Sequence, residues 1–235
     1  MKIDKFIEEL KKINIEVDNE KIELLAKYCT FLKEYNEHTN LTAIKDDEGI
    51  YLKHFYDSLL VTKYYDFSKV DNMLDIGSGA GFPGVVLKIF YPNINVTLMD
   101  SNNKKTTFLE KLIEHLKLEN INVVYDRAEN YAKNNRQKYD VTIARAVSEL
   151  RIISELALPL TKVNGYFIAL KGNYEEEMDN ALKTFNELSS KVEYIKKDNL
   201  PIENSRRSFI FIKVLDNIDN KYPRSYEQII KKPLK

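Results

Sequence analysis

Residues 74 to 84 read Leu74-Asp75-Ile76-Gly77-Ser78-Gly79-Ala80-Gly81-Phe82-Pro83-Gly84, a glycine-dense segment that directly follows a short apolar run. Glycines in that place let the backbone turn sharply and come close to a bound ligand where a Cβ would collide. Two nucleotide cofactors compete for such a loop. Gly79-x-Gly81-x-x-Gly84 satisfies the dinucleotide fingerprint, and Asp100 ends the next apolar run where a ribose-binding acid is expected for NAD. The glycine immediately after the first run, however, is Gly77, which begins Gly77-x-Gly79-x-Gly81 and is followed by Phe82. That register favours S-adenosylmethionine. Asp75 adds weight, because an acid beside the first glycine can accept from the amino group of a methionine moiety but would repel a pyrophosphate.

On this reading Asp100 accepts from the two ribose hydroxyls, Ala128 and Glu129 meet the adenine, and Arg145 stands beside the methyl-transfer face, where it orients the target. No acid–base constellation accompanies these residues. His38 ends a helix, His115 falls on an exposed helical face, and His54 either fixes the N-terminal region or touches nucleic acid. The single cysteine, Cys29, lies on the apolar stripe Ile22, Leu25, Cys29, Leu32, outside any proline–cysteine motif, so it is no nucleophile for methylation at carbon five of cytosine. Adenine amine methylation usually uses an Asn or Asp-Pro-Pro-aromatic loop after the fourth strand, where this chain has Ala144-Arg145-Ala146.

The elements that must carry these residues follow from periodicity. Apolar positions recur at spacings of three and four through residues 3 to 66, with Asp18 as N-cap of a helix over Ile22 to Leu32. From Met73 the pattern becomes short apolar runs alternating with amphipathic stretches, the signature of a parallel sheet with covering helices. Strands are predicted at Met73 to Ile76, Val96 to Met99, Val123 to Tyr125, Val141 to Ala144 and Tyr166 to Leu170. Helices are predicted at Pro83 to Phe90, Lys104 to Leu118, Glu149 to Leu160 and Glu175 to Leu188. Pro83 suits a first helical position. Two late strands, Val192 to Ile195 and Phe209 to Val214, close the series as an antiparallel pair. The layout is that of a class I methyltransferase: an α/β, mainly parallel seven-stranded Rossmann-like sheet. It divides the chain into an N-terminal helical extension (1–70), a methyltransferase core (71–216) and a basic C-terminal tail (217–235) with little intrinsic structure.

The 235 residues, 43% hydrophobic, suffice for one sizeable core, and the 31% charged residues are interleaved rather than blocked. Thirty-six basic and 36 acidic side chains cancel, so any nucleic-acid contact must come from local patches. Candidates are Lys53, His54, Arg145, Lys171, Arg206, Arg207 and, in the tail, Arg224, Lys231, Lys232 and Lys235. One cysteine fits a reducing compartment, and neither a signal peptide nor a twenty-residue apolar span is legible, so a cytoplasmic, monomeric protein without membrane contact or metal is expected.

The chain resembles the ribosomal small-subunit methyltransferase G family, also called glucose-inhibited division protein B. The marks are Asn40-Leu41-Thr42-Ala43-Ile44, His54-Phe55-Tyr56-Asp57-Ser58-Leu59, the Leu74 to Gly84 segment, Arg127-Ala128-Glu129, Arg145-Ala146-Val147, Leu170-Lys171-Gly172, Arg206-Arg207 and Tyr222-Pro223-Arg224. The resemblance covers nearly the whole chain. It implies methyl transfer from S-adenosylmethionine to guanine N7 in the decoding region of small-subunit (16S) rRNA, with the assembling 30S subunit as a further possible partner. It also implies cofactor contacts at Gly77, Phe82, Ala128, Glu129 and Arg145. Departures are Lys104-Lys105, where the family shows Lys-Arg, and Tyr226-Glu227-Gln228, which replaces a usual glycine and proline. An NAD-linked oxidoreductase and a non-catalytic RNA or ribosome-assembly binder are the competing readings.

Overall fold

The computed structural model describes residues 1–234; Lys235 of the tail lies outside them. The N-terminal third is helical, as its periodicity predicts. Helix α1 (Ile3–Lys12) buries Phe6 and Leu10, and α2 (Asn19–Thr39) starts at Asp18, whose carboxylate accepts from the Lys21 N–H at 2.8 Å. Next, α3 (Asp47–Ile50) runs into a π-helical stretch (Tyr51–Tyr56), then α4 (Asp57–Leu59) and a 3-10 turn (Leu60–Lys63). Such π insertions re-aim side chains and recur at functional sites. Here the insertion carries Lys53 and His54 and ends where Asp57 begins.

Strand β1 (Asn72–Ile76) then opens the alternation: α5 (Gly84–Phe90), β2 (Asn95–Asp100), α6 (Asn103–Leu116), β3 (Ile121–Tyr125), α7 (Ala128–Tyr131), β4 (Tyr139–Arg145), α8 (Leu150–Ala157), β5 (Thr161–Lys171), α9 (Glu175–Glu187), β6 (Ser190–Asn199) and β7 (Arg206–Val214). The sheet order is β3-β2-β1-β4-β5-β7-β6, with β7 antiparallel to both neighbours and the other pairings parallel. The strand order reverses at β1 and β4, so the loops after β1, β2 and β4 converge on the switch-point crevice.

Each sheet face has its own core. One unites the N-terminal helices with α5, α6 and the sheet through residues such as Phe6, Tyr28, Phe55, Phe82, Leu109 and Phe211; the other joins Leu74, Leu156, Phe185 and Ile229. The first seventy residues are thus the cover of one sheet face.

Three expectations need correction. Pro83 is the N-cap of α5, and the helix begins at Gly84. The late strands are longer than their apolar stretches, because the β6–β7 pairing runs out to Asn199 and Arg206 through charged residues whose backbones alone are needed. The tail is structured: α10 (Tyr226–Lys231) carries a reciprocal capping box between Ser225 and Gln228 and buries Ile229. No helix among the described residues is long and apolar enough to cross a membrane.

Candidate active site

The glycine loop lies between β1 and α5. Gly77, Gly79 and Gly81 all have positive φ, and a Cβ on Gly77 would lie 2.7 Å from Val147 Cγ2 in the loop after β4. Gly81 is crowded from below by Tyr28 of α2, whose hydroxyl donates to the Ala80 carbonyl and whose ring stacks on Phe82 at 5.3 Å. Burial raises the Tyr28 phenol well above its ordinary pKa, so it stays a donor. The N-terminal helices therefore hold the loop in shape.

Two cavities meet at this loop. The one of about 320 Å³ is lined by Ile76, Met99, Asp100, Ser101, Asp126, Arg127, Ala128, Glu129, Val147, Leu156 and Tyr226. The larger, of about 560 Å³, is lined by Leu41, Thr42, Lys53, His54, Asp57, Phe82, Arg145, Lys171 and Arg207 among others. Gly77, Lys105 and Ala146 border both. Asp100 is buried at the end of β2, where the Gly79 N–H donates to Oδ2 at 3.1 Å and the Asn102 N–H to Oδ1 at 2.9 Å. Each oxygen keeps a second lone pair for another donor. A fixed acceptor beside Ile76, Met99, Val147 and Leu156, bordered by Gly77 where a Cβ would collide with Val147, suits the ribose and adenine of S-adenosylmethionine; Ala128 and Glu129 line the same cavity.

Asp75 stands otherwise than its sequence position suggests. It is fully enclosed beneath the loop, lines neither cavity, and accepts the Gly84 N–H on Oδ2 at 2.8 Å, while Oδ1 has no hydrogen-bond partner among the described residues. Burial raises its pKa to about 7 against the opposing pull of the Gly84 N–H. Its direct work is on the loop and the start of α5.

In the larger cavity the side chains come from distant segments. The Asp57 carboxylate, nearly inaccessible, accepts from Arg207 Nε on β7 at 2.6 Å and from Arg145 Nη1 on β4 at 3.0 Å. Arg145 also donates to the Lys53 carbonyl at 3.0 Å, and its guanidinium carbon lies 5.2 Å from the Phe82 ring centroid. His54 stacks on Phe82 at 4.4 Å, with Nε2 2.8 Å from Thr42 Oγ1 and Nδ1 3.4 Å from Arg145 Nη2. Nδ1 also lies 3.2 Å from the Lys53 carbonyl, which only accepts, whereas a guanidinium only donates, so its two neighbours call for opposite tautomers of the ring. Burial first, then the Arg145 charge, depresses the His54 pKa to about 3. His54 is therefore a neutral ring at physiological pH, and any contact it makes with RNA is stacking or hydrogen bonding rather than ion pairing.

The structure thus gathers Lys53, His54, Arg145, Lys171 and Arg207 around one cavity. Most of their charges are matched: Lys53 pairs with Glu203, Lys171 with Glu177, and Arg207 with Asp57. Arg206 pairs with Glu175 in a separate cleft, and Arg224, Lys231 and Lys232 line a surface pocket of the tail; these four line neither cavity. Arg224 is committed to the fold, since Nε and Nη2 donate to the fully buried Glu155 at 2.8 and 2.6 Å. Sequence reasoning gave no role to Asp57, Thr42, Lys105, Tyr28 or Tyr226. Asp57 and Thr42 lie inside motifs already singled out, and Lys105 and Tyr226 stand in the two stretches that depart from the family's pattern; Tyr28 had no such signal.

A family model described as rRNA small subunit methyltransferase G matches residues 21–206. The chain belongs to that family. Proteins named ribosomal RNA small subunit methyltransferase G from Lysinibacillus sphaericus (strain C3-41) and Bacillus subtilis (strain 168) are 45% and 44% identical to it, each over 95% of both chains. Among solved structures, ribosomal protein L11 methylase from Lactobacillus delbrueckii subsp. bulgaricus superposes with a TM-score of 0.52 at 14% identity, covering 70% of this chain and 79% of that one. M. jannaschii TYW2 in complex with AdoMet superposes with a TM-score of 0.52 at 12% identity, covering 62% and 69%. These likenesses establish the class I methyltransferase fold. Family membership makes the protein an S-adenosylmethionine-dependent methyltransferase and sets the dehydrogenase reading aside.

Proposed function

We propose that this protein, a cytoplasmic monomer, transfers a methyl group from S-adenosylmethionine to N7 of a guanine in small-subunit rRNA, within the assembling subunit. The observation that carries the reading is the pair of cavities meeting at Gly77, Lys105 and Ala146, one with the fixed Asp100 carboxylate beside Ile76, Met99, Val147 and Leu156, the other lined by His54, Phe82 and the cations Lys53, Arg145, Lys171 and Arg207. The relatives' name supplies the substrate class. The N-terminal extension (1–70) roofs the target cavity, the core (71–216) supplies most of the cofactor cavity, and the described part of the tail (217–234) packs on the second sheet face and adds Tyr226 to that cavity.

When bound, the cofactor supplies a methyl already activated on a sulfonium. Guanine N7 has a free lone pair at neutral pH, so the protein needs no general base and works by orientation in a water-poor pocket. Asp100 holds the ribose; Ala128 and Glu129 meet the adenine. Neutral His54 and Arg145, both packed on the buried Phe82 ring, offer planar surfaces to a splayed base, and Arg145 is aimed by Asp57. Lys53, Lys171 and Arg207 meet phosphates at the rim, with Arg206, Lys231 and Lys232 as outlying contacts.

Modified RNA should be cleaved by aniline after borohydride treatment, since N7 methylation places positive charge on the ring. The single-turnover rate should be nearly flat between pH ~6 and ~9, because neither a base nor the N7 lone pair titrates there. RNA that is methylated but resistant to cleavage would exclude N7.

A further inference from the structure

The cofactor cavity has one wall that no strand-end motif supplies. Tyr226, the first residue of α10, lines it beside Arg127, Ala128 and Val147, and is the aromatic side chain in that lining among the described residues. Its ring carries the Arg127 guanidinium 5.1 Å from its centroid, so the wall is made jointly by the tail and the loop after β3.

The segment that presents this ring is firmly attached. Arg136 donates to the carbonyls of Ile218 and Tyr222, and the Tyr222 hydroxyl donates to Glu187 at 3.1 Å. Arg224 grips Glu155, and Ile229 is buried in the second core. Between these anchors the Ser225–Gln228 capping box fixes the first turn of α10. Tyr226 itself remains 37% exposed. A large aromatic ring held on a cavity wall yet left open is poorly explained as core packing and well explained as a surface awaiting a planar partner. The rest of that cavity fixes which partner. Asp100 is a fixed acceptor in its lining, suited to hydroxyl donors, and Ala128 and Glu129 line the same cavity with Arg127 and Tyr226.

We propose that Tyr226 is a specificity-determining residue that packs against the adenine of the cofactor, so that the C-terminal segment completes the adenosine pocket. This rests on the cofactor assignment of the smaller cavity above. Arg127 serves as a positioning residue, holding the tyrosine ring through its cation–π contact.

The test is calorimetric titration of the full chain with S-adenosylhomocysteine and with 5′-methylthioadenosine, which share the adenosine but differ in the amino-acid moiety. Tyr226→Ala should weaken both by the same factor, roughly fivefold to fiftyfold given the value of a base stacked on an aromatic ring. Tyr226→Phe should restore both, and Tyr226→Leu, which keeps bulk but not the flat π-face, should behave like Tyr226→Ala. Unchanged affinity in Tyr226→Leu, or a loss confined to S-adenosylhomocysteine, would overturn the proposal. Asp100→Ala in the otherwise native chain separates the two levels. If it weakens binding while Tyr226→Leu leaves binding unchanged, only the tyrosine contact is wrong. If it leaves binding unchanged, the cavity assignment falls and the proposal with it.

Discussion

The two halves of the site are built from different materials. The cofactor cavity is anchored by main chain: Gly77, in the left-handed region, borders it, and Asp100 is held by two backbone N–H groups, with Asp75 tucked beneath the loop as a support. In the target cavity, side chains from three separate segments are joined by one carboxylate that two arginines share. A site anchored by main chain tolerates change best away from its glycine, its fixed acceptor and the ring that walls it. A side-chain site depends on each partner, because a buried charge deprived of its counter-charge is costly.

The sharpest way to break this contrast is at Asp57. Asp57→Ala should cost about 3–5 kcal/mol of folding stability in denaturant titration, since it strands two guanidiniums in a half-buried cavity. Asp57→Asn keeps the shape and should lower RNA methylation while leaving S-adenosylhomocysteine affinity untouched; an equal loss of both would mean that the halves are not separable.

Asp75 probes the support under the main-chain half. Its pKa is raised from 3.8 to about 7, so the folded protein holds this proton more tightly than the unfolded chain does, and stability is lost as pH rises from about 4 to about 7. Asp75→Asn should therefore be more stable than the parent at pH 7.5, by at most about 4 kcal/mol, with the difference vanishing below pH ~4. Cofactor affinity should barely change, whereas a large loss would restore a direct contact with the methionine moiety.

Asp100→Ala removes a fixed acceptor and should weaken cofactor binding by about 1–3 kcal/mol with RNA affinity intact. Smallest of all, Lys231→Glu with Lys232→Glu should flatten the salt dependence of RNA binding by about one to two units of slope, with no effect on the cofactor. An unchanged slope would remove the tail from the RNA interface.

The same contrast explains what could be read in advance. The Leu74 to Gly84 segment is local, so its register announces a strand, a turn and a helix, and Asp100 follows at the end of the next apolar run. The partners of Asp57 lie 88 and 150 residues away, and Tyr28 meets Ala80 across 52; no periodicity encodes such pairings. The α10 helix escaped notice because a six-residue element has little period, and its capping box begins within a run that reads as basic tail. Asp75 misled because a motif gives position along the chain but not whether a carboxylate faces out of the loop or under it.

The Tyr28 strut and the Tyr226 wall stand close to opposite ends of the polypeptide, yet both serve the crevice at the centre of the sheet. The loop is thus shaped by a partner that precedes it in the chain and walled by one that follows the whole sheet, so its conformation and the closure of the crevice beside it are set by separate segments.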